Sequence, residues 1–358
     1  MDTHDGATFL IKVLVVEDSA VVRDFLVHVL CADPDIHVVG TATDGEDALG
    51  AVERRRPDVI TMDIHMPKLD GLEATRRIME THPTPIVIVS GSTDPREVAT
   101  TFRAVEAGAL AVLRRPAGIG HPDHEATARE LVQTVKLMSE VKVVRRWPRL
   151  RRETAVPRPA EAVLGRAPGK VKVVAIGAST GGPPVLQTIL SGLPKDFPVP
   201  VLIVQHMAAG FIPGFVEWLA QSSSLPVHLA THAEHMLSGH VYVAPDEFQM
   251  QVEHGGGIAL AKGPPENGLR PSVSCLFRSL AEVYAGEVVA GLLSGMGRDG
   301  AEELKLLRDR GATTFAQDKA SSVVHGMPGE AIKLDAASLV LPPEKIAAVL
   351  TSLANSRK

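Results

Sequence analysis

Val171-Lys172-Val173-Val174-Ala175-Ile176-Gly177-Ala178-Ser179-Thr180-Gly181-Gly182 sets an apolar run directly before a glycine-flanked serine, and residues 183–190 then space their apolar side chains helically. The stretch reads as strand, tight turn and helix. Small residues around Ser179 fit G-x-S-x-G, in which they let the backbone turn sharply and expose a hydroxyl at the carboxyl end of a strand. The pattern is weak alone, because a glycine-rich turn also positions a helix or binds phosphate. Neither phosphate fingerprint fits: G-x-G-x-x-G needs glycine where Ser179 stands, and G-K-[ST] is absent.

Two further strand-like runs end in reactive side chains. Residues 199–204 lead into Gln205-His206, and residues 288–293 lead into Ser294-Gly295-Met296-Gly297-Arg298-Asp299-Gly300. If these strands are parallel neighbours, Ser179, His206 and Asp299 converge on one edge as nucleophile, general base and orienting carboxylate. Taken singly, His206 reads as a structural histidine and Asp299 as a cap for the helix beginning near Gly300. The chain order Ser, His, Asp differs from the Ser, Asp, His order of α/β-hydrolases and implies another scaffold.

With 358 residues, 45% hydrophobic and 22% charged, the chain is long enough for about two domains, each with its own core. A net charge of -5 argues against a general nucleic-acid binder. Residues 145–170 stand apart, with eight Lys or Arg against Glu153 and Glu161, and with Pro148, Pro157, Pro159 and Pro168. This composition predicts a basic, semi-rigid linker between domains at 1–144 and 171–358. Cys31 and Cys275 have no ligand-like spacing, so neither a disulfide framework nor a zinc site is expected, and a reducing cytoplasm fits. No apolar targeting core or membrane-length run is evident, so direct membrane insertion is not expected.

The first 144 residues alternate strand-like runs at 12–16, 37–40, 59–61, 86–89 and 109–113 with helical spacing at 20–30, 46–54, 72–80, 96–107 and 124–144. Five β-α units predict a doubly wound parallel sheet. Residues 171–358 resume the alternation, with a β-rich insertion around 241–244, 249–252 and 258–261. Glu17 and Asp18 follow the first strand and Asp63 follows another strongly apolar one. Three gathered acids repel unless a cation sits among them, and hard oxygen ligands suit Mg²⁺. Each acid alone also reads as an ordinary strand-end residue. Ser90 ends the fourth strand with a hydroxyl and Arg115-Pro116 ends the fifth with a cation, which together describe an aspartate that accepts a phosphoryl group.

Glu17-Asp18-Ser19, Met62-Asp63-Ile64-His65-Met66-Pro67, Asp70-Gly71 and Ser90 resemble the flavodoxin-like receiver domain of two-component response regulators. The resemblance implies phosphorylation of Asp63 by a partner histidine kinase, with Mg²⁺ held by Glu17, Asp18, Asp63 and the backbone carbonyl of His65. Receivers normally carry lysine before the proline after the fifth strand. This chain has Arg115, a planar fork in place of a compact ammonium, and Val112 where an aromatic residue often stands.

The blocks from Gly177 to Gly182, Gln205-His206-Met207, Arg270-Pro271-Ser272-Val273, Gly295 to Gly300, Ala316-Gln317-Asp318 and Gly326-Met327-Pro328 resemble the chemotaxis response-regulator protein-glutamate methylesterase family. That resemblance implies a Rossmann-like serine hydrolase domain that cleaves glutamate γ-methyl esters on methyl-accepting chemoreceptors, releasing methanol, and deamidates selected receptor glutamines. No cofactor is needed for the ester step. Ser179 attacks, His206 moves the proton, Asp299 orients the imidazole, and the family suggests the Met296 N–H as an oxyanion donor. Thr180 either assists or caps the following helix. A receiver packed over the Ser179 edge would block large substrates until phosphorylation shifts a two-state equilibrium.

Two readings compete with the enzyme. One is a non-catalytic docking module of a chemosensory pathway. The weaker one is a receiver-linked DNA-binding regulator, against which no short basic helix-turn-helix is evident. Lesser signals read as structure: His232-x-x-His235 with His240 as a loop, His121-Pro122-Asp123-His124 as a turn entering a helix, and Ser272 as a helix cap.

Overall fold

The computed structural model describes residues 10–92, 94–143 and 170–356. The predicted linker and the amino-terminal residues 1–9 fall outside the described residues, apart from Lys170. The chain forms two compact α/β units.

The first unit alternates β1 (Ile11–Val16), α1 (Ala20–Cys31), β2 (Ile36–Ala42), α2 (Gly45–Arg55), β3 (Val59–Met62), α3 (Gly71–Thr81), β4 (Ile86–Ser90), α4 (Pro95–Ala107), β5 (Ala111–Arg114) and α5 (His124–Ser139). The strands form one parallel sheet in the order β2-β1-β3-β4-β5. Val13, Leu14, Val15, Ile60, Val87 and Ile88 are fully buried, as the uninterrupted apolar runs require of a sheet covered on both faces. Each such side chain contributes about 1.5–3 kcal/mol through burial. Asp44 and Asp70 cap α2 and α3 by accepting the backbone N–H groups of Asp47 and Glu73 at 2.9 and 2.8 Å.

The last helix of this unit ends at Ser139, five residues short of the predicted boundary. Valine at 141, 143 and 144 lowers helix propensity past this point, and the Glu140 N–H closes the last turn on Leu137 and Met138.

The second unit contains β6 (Val173–Ala178), α6 (Gly182–Gly192), β7 (Val201–Gln205), α7 (Ile212–Ser222), β8 (Val227–Leu229), β9 (Val241–Val243), β10 (Gln249–Val252), β11 (Ile258–Ala261), α8 (Val273–Val283), β12 (Val288–Leu292), α9 (Ala301–Asp309), β13 (Thr313–Gln317), α10 (Met327–Lys333), β14 (Leu339–Leu341) and α11 (Pro343–Asn355). Seven strands make a parallel sheet in the order β14-β13-β12-β6-β7-β9-β8. The separate β-rich element is the antiparallel hairpin β10-β11. Val241–Val243 instead joins the main sheet between β7 and a short edge strand, β8, that periodicity over three residues cannot reveal.

The order reverses around β6, with β7 on one side and β12 on the other. Such a reversal opens a crevice at the carboxyl ends of the strands. Among the described residues, no helix is long and apolar enough to cross a membrane.

Candidate active site and phosphoryl-acceptor site

Registry brings the three hydrolase candidates to one edge. Ala178 pairs with Gln205 and Gly177 with Leu292, so Ser179, His206 and the 293–299 loop leave three adjacent strands together. The Ser179 N–H donates to the Ser294 carbonyl at 3.0 Å and the His206 N–H to the Ala178 carbonyl at 2.9 Å. The turn after Ser179 needs glycine: Gly181 has φ 78°, and a Cβ there would lie 2.5 Å from Val323. Gly181 also occupies the cap position of α6, so Thr180 is not the helix cap, and its carbonyl instead accepts from Ser294 Oγ at 2.8 Å. The Gly295 backbone lies against the serine, since a Cβ at Gly295 would stand 2.8 Å from Ser179 Cβ. Next to it, Met296 is 44% exposed.

His206 Nε2 lies 2.9 Å from Asp299 Oδ2. Asp299 is 5% exposed. Burial alone would raise its pKa, but the neighbouring His206, the Val273 N–H and Ser274 outweigh burial and hold it at about 2. Its side chain does cap a helix, though not the one that follows it. Oδ2 accepts the Val273 N–H at 2.6 Å and Oδ1 accepts the Ser274 N–H at 3.2 Å, both from the first turn of α8, while α9 begins at Gly300 without a side-chain cap.

Two glutamines that the motifs contained but whose work the sequence did not reveal clamp the edge. Gln205 Nε2 donates to the carbonyls of Ser179 and His206 at 2.8 and 2.9 Å. Gln317, ending β13, accepts the Ser294 N–H at 2.8 Å and donates to the Ser321 carbonyl at 2.9 Å. A polar residue closing an apolar strand was the available signal, but its partners are distant in sequence. The histidines at 232, 235 and 240 do not gather: His232 Nδ1 accepts the Leu260 N–H at 3.1 Å, His235 bridges Gly257, and His240 meets His228 at 2.9 Å.

In the first unit, Val16 pairs with Met62, so the acids that follow emerge side by side. Oxygens of Glu17, Asp18 and Asp63 lie within 4.8 Å of one another. Burial and the adjacent Asp63 push the Glu17 carboxyl up to about 7. Burial also raises Asp63, against the lowering effect of the Ile64 N–H and Arg115. Crowded, partly desolvated carboxylates with a cation against them make a donor set of the kind that hard divalent ions satisfy. Arg115 supplies that cation: Nη2 stands 3.1 Å from Glu17 Oε2. The Arg115 N–H donates to the Ser90 carbonyl at 2.8 Å, which brings the buried Ser90 hydroxyl and the guanidinium to the same edge. Gly91 leaves room for the fork, because a Cβ there would meet its Cζ at 3.1 Å. His65, whose carbonyl the resemblance implicates, is exposed in the turn after Asp63.

Comparison with known proteins agrees with both halves. Residues 174–350 match the CheB methylesterase family and residues 13–121 match the response regulator receiver domain. A protein of Nitrosospira multiformis described as a protein-glutamate methylesterase/protein-glutamine glutaminase is 65% identical over 348 residues, covering 97% of this chain and 98% of that protein. A Geobacter metallireducens relative with the same description is 61% identical, covering 96% of this chain and 99% of its own length. Among solved structures, the catalytic domain of Thermotoga maritima CheB methylesterase is 38% identical with a TM-score of 0.50, covering 51% of this chain and 98% of that domain.

Proposed function

The chain belongs to the CheB family of protein-glutamate methylesterases with an attached receiver domain, and from that premise we propose that Ser179, His206 and Asp299 carry its ester hydrolysis under control of Asp63. It is a chemotaxis adaptation enzyme that demethylates glutamate γ-methyl esters on chemoreceptors, releases methanol, and deamidates selected receptor glutamines. The receiver occupies residues 1–144, the catalytic domain residues 171–358, and the basic stretch 145–170 joins them.

Ser179 Oγ attacks the ester carbonyl while His206 takes its proton and returns it to the leaving methanol. Asp299, kept ionised, orients the ring and stabilises its charged form. Water repeats the sequence on the acyl-enzyme and frees the glutamate. The Met296 N–H, in the turn beside Ser179, stabilises the tetrahedral oxyanion, a contribution typically worth about 10²–10³ in rate. The same attack on a side-chain amide releases ammonia. The ester step needs no cofactor.

At the receiver, Glu17, Asp18, Asp63 and the His65 carbonyl would hold Mg²⁺, which when bound offsets their charge and that of the incoming phosphoryl group. Asp63 accepts the phosphoryl group from a chemosensory histidine kinase, and Ser90 and Arg115 contact its oxygens. The partners are that kinase and methyl-accepting chemoreceptors, met at the cytoplasmic side without nucleic acid or membrane insertion.

The observation that supports the catalytic reading is the 2.9 Å approach of His206 to Asp299 beside the strand end that carries Ser179. Methanol release from a methylated chemoreceptor tests it. Ser179→Ala should lower the rate on the order of 10³-fold or more. Equal release from both proteins would favour the docking module.

A further inference from the structure

Asp299 leaves its strand on a loop whose residues Met296 to Arg298 are exposed, so its carboxylate must be held from outside that loop. Four groups surround it. Oδ2 faces His206 Nε2 at 2.9 Å and accepts the Val273 N–H. Oδ1 accepts the Ser274 N–H at 3.2 Å and the Ser272 hydroxyl at 2.9 Å. Two of the donors are backbone groups of a helix end and survive any change of side chain at 272. The hydroxyl does not.

The geometry points to Ser272 as a positioning residue for Asp299, a role that rests on the triad reading above. Its Oγ–H donates to Oδ1 at 2.9 Å, whereas the cap contact it accepts from the Cys275 N–H is 3.4 Å long. By distance the hydroxyl serves the carboxylate more than the helix. Ser272 is itself held: its N–H donates to Gln249 Oε1 at 2.8 Å, and Gln249 Nε2 donates to the Leu269 carbonyl at 3.0 Å. Both residues are buried, so the β10-β11 hairpin reaches the catalytic carboxylate through two polar contacts. Removing the hydroxyl takes away the shorter of the two hydrogen bonds on Oδ1, 2.9 against 3.2 Å, and lets the carboxylate turn about its χ2 axis, away from the orientation that meets the imidazole.

The test uses the full-length protein and a methylated chemoreceptor, reading kcat and KM for methanol release. Ser272→Gly removes the hydroxyl while glycine still serves as a helix cap, and Ser272→Ala is read alongside it, with unfolding midpoints recorded for both. The expected result is a kcat about tenfold lower with KM unchanged, recovery in Ser272→Thr, and no further loss when Ser272→Gly is added to Asp299→Asn. Wild-type kcat in Ser272→Gly and Ser272→Ala overturns the inference, as does an equal loss in Ser272→Thr or full additivity with Asp299→Asn. Wild-type kcat in Asp299→Asn itself is a separate outcome, which removes the triad reading and this role with it.

Discussion

The side-chain amide of Gln205 donates to the Ser179 carbonyl at 2.8 Å, tying the Ser179 backbone to the strand that leads into His206. The same nitrogen holds the His206 carbonyl. Gln205→Leu should therefore strip two carbonyls of a buried donor, lowering stability by about 1–3 kcal/mol and kcat with it. Urea denaturation and methanol release measured on the same preparation check both effects. Unchanged values would mean that the strand ends are fixed by the sheet alone.

Asp299 gives a pH dependence. Its pKa is lowered from 3.8 to about 2 on folding, so the ionised carboxylate favours the folded state. That contribution, on the order of 2 kcal/mol, is fully present above pH 4 and disappears as pH falls through 2. Urea midpoints measured between pH 5 and 2 should fall more steeply for the wild type than for Asp299→Asn. Parallel curves would place the acid sensitivity elsewhere.

Asp63→Asn removes the proposed phosphoryl acceptor. Incubation with acetyl phosphate and Mg²⁺ should raise methanol release by the wild type, and the ratio of stimulated to unstimulated rate should fall to about one in the variant. A ratio equal to that of the wild type would point to another acceptor.

Arg115 offsets part of the acidic cluster through Glu17. Arg115→Ala should lower the thermal midpoint in a chelating buffer, and adding Mg²⁺ should raise it by more than in the wild type, because a divalent ion relieves the same repulsion. Arg115→Lys should fall between the two, since a compact ammonium keeps the charge without the fork. Differential scanning calorimetry reads all three.

Apolar periodicity alone gave the α/β alternation and the two units, and the strand-end motifs supplied the candidate reactive side chains. Uninterrupted apolar runs such as residues 13–16 and 173–176 suit strands buried on both faces, and a polar residue stands just beyond each, at Glu17 and Ser179. What lay beyond the sequence was contact between distant segments. The sequence offers Asp299 as a cap for the helix that follows, yet its carboxylate closes the start of α8 instead. Val241–Val243 reads as part of an insertion until its pairing with β7 places it in the main sheet. Gln205, Gln317 and Ser272 look like ordinary polar residues because a hydrogen bond's meaning depends on its partner. Only the tertiary structure brings partners 23 to 27 positions apart within 3 Å.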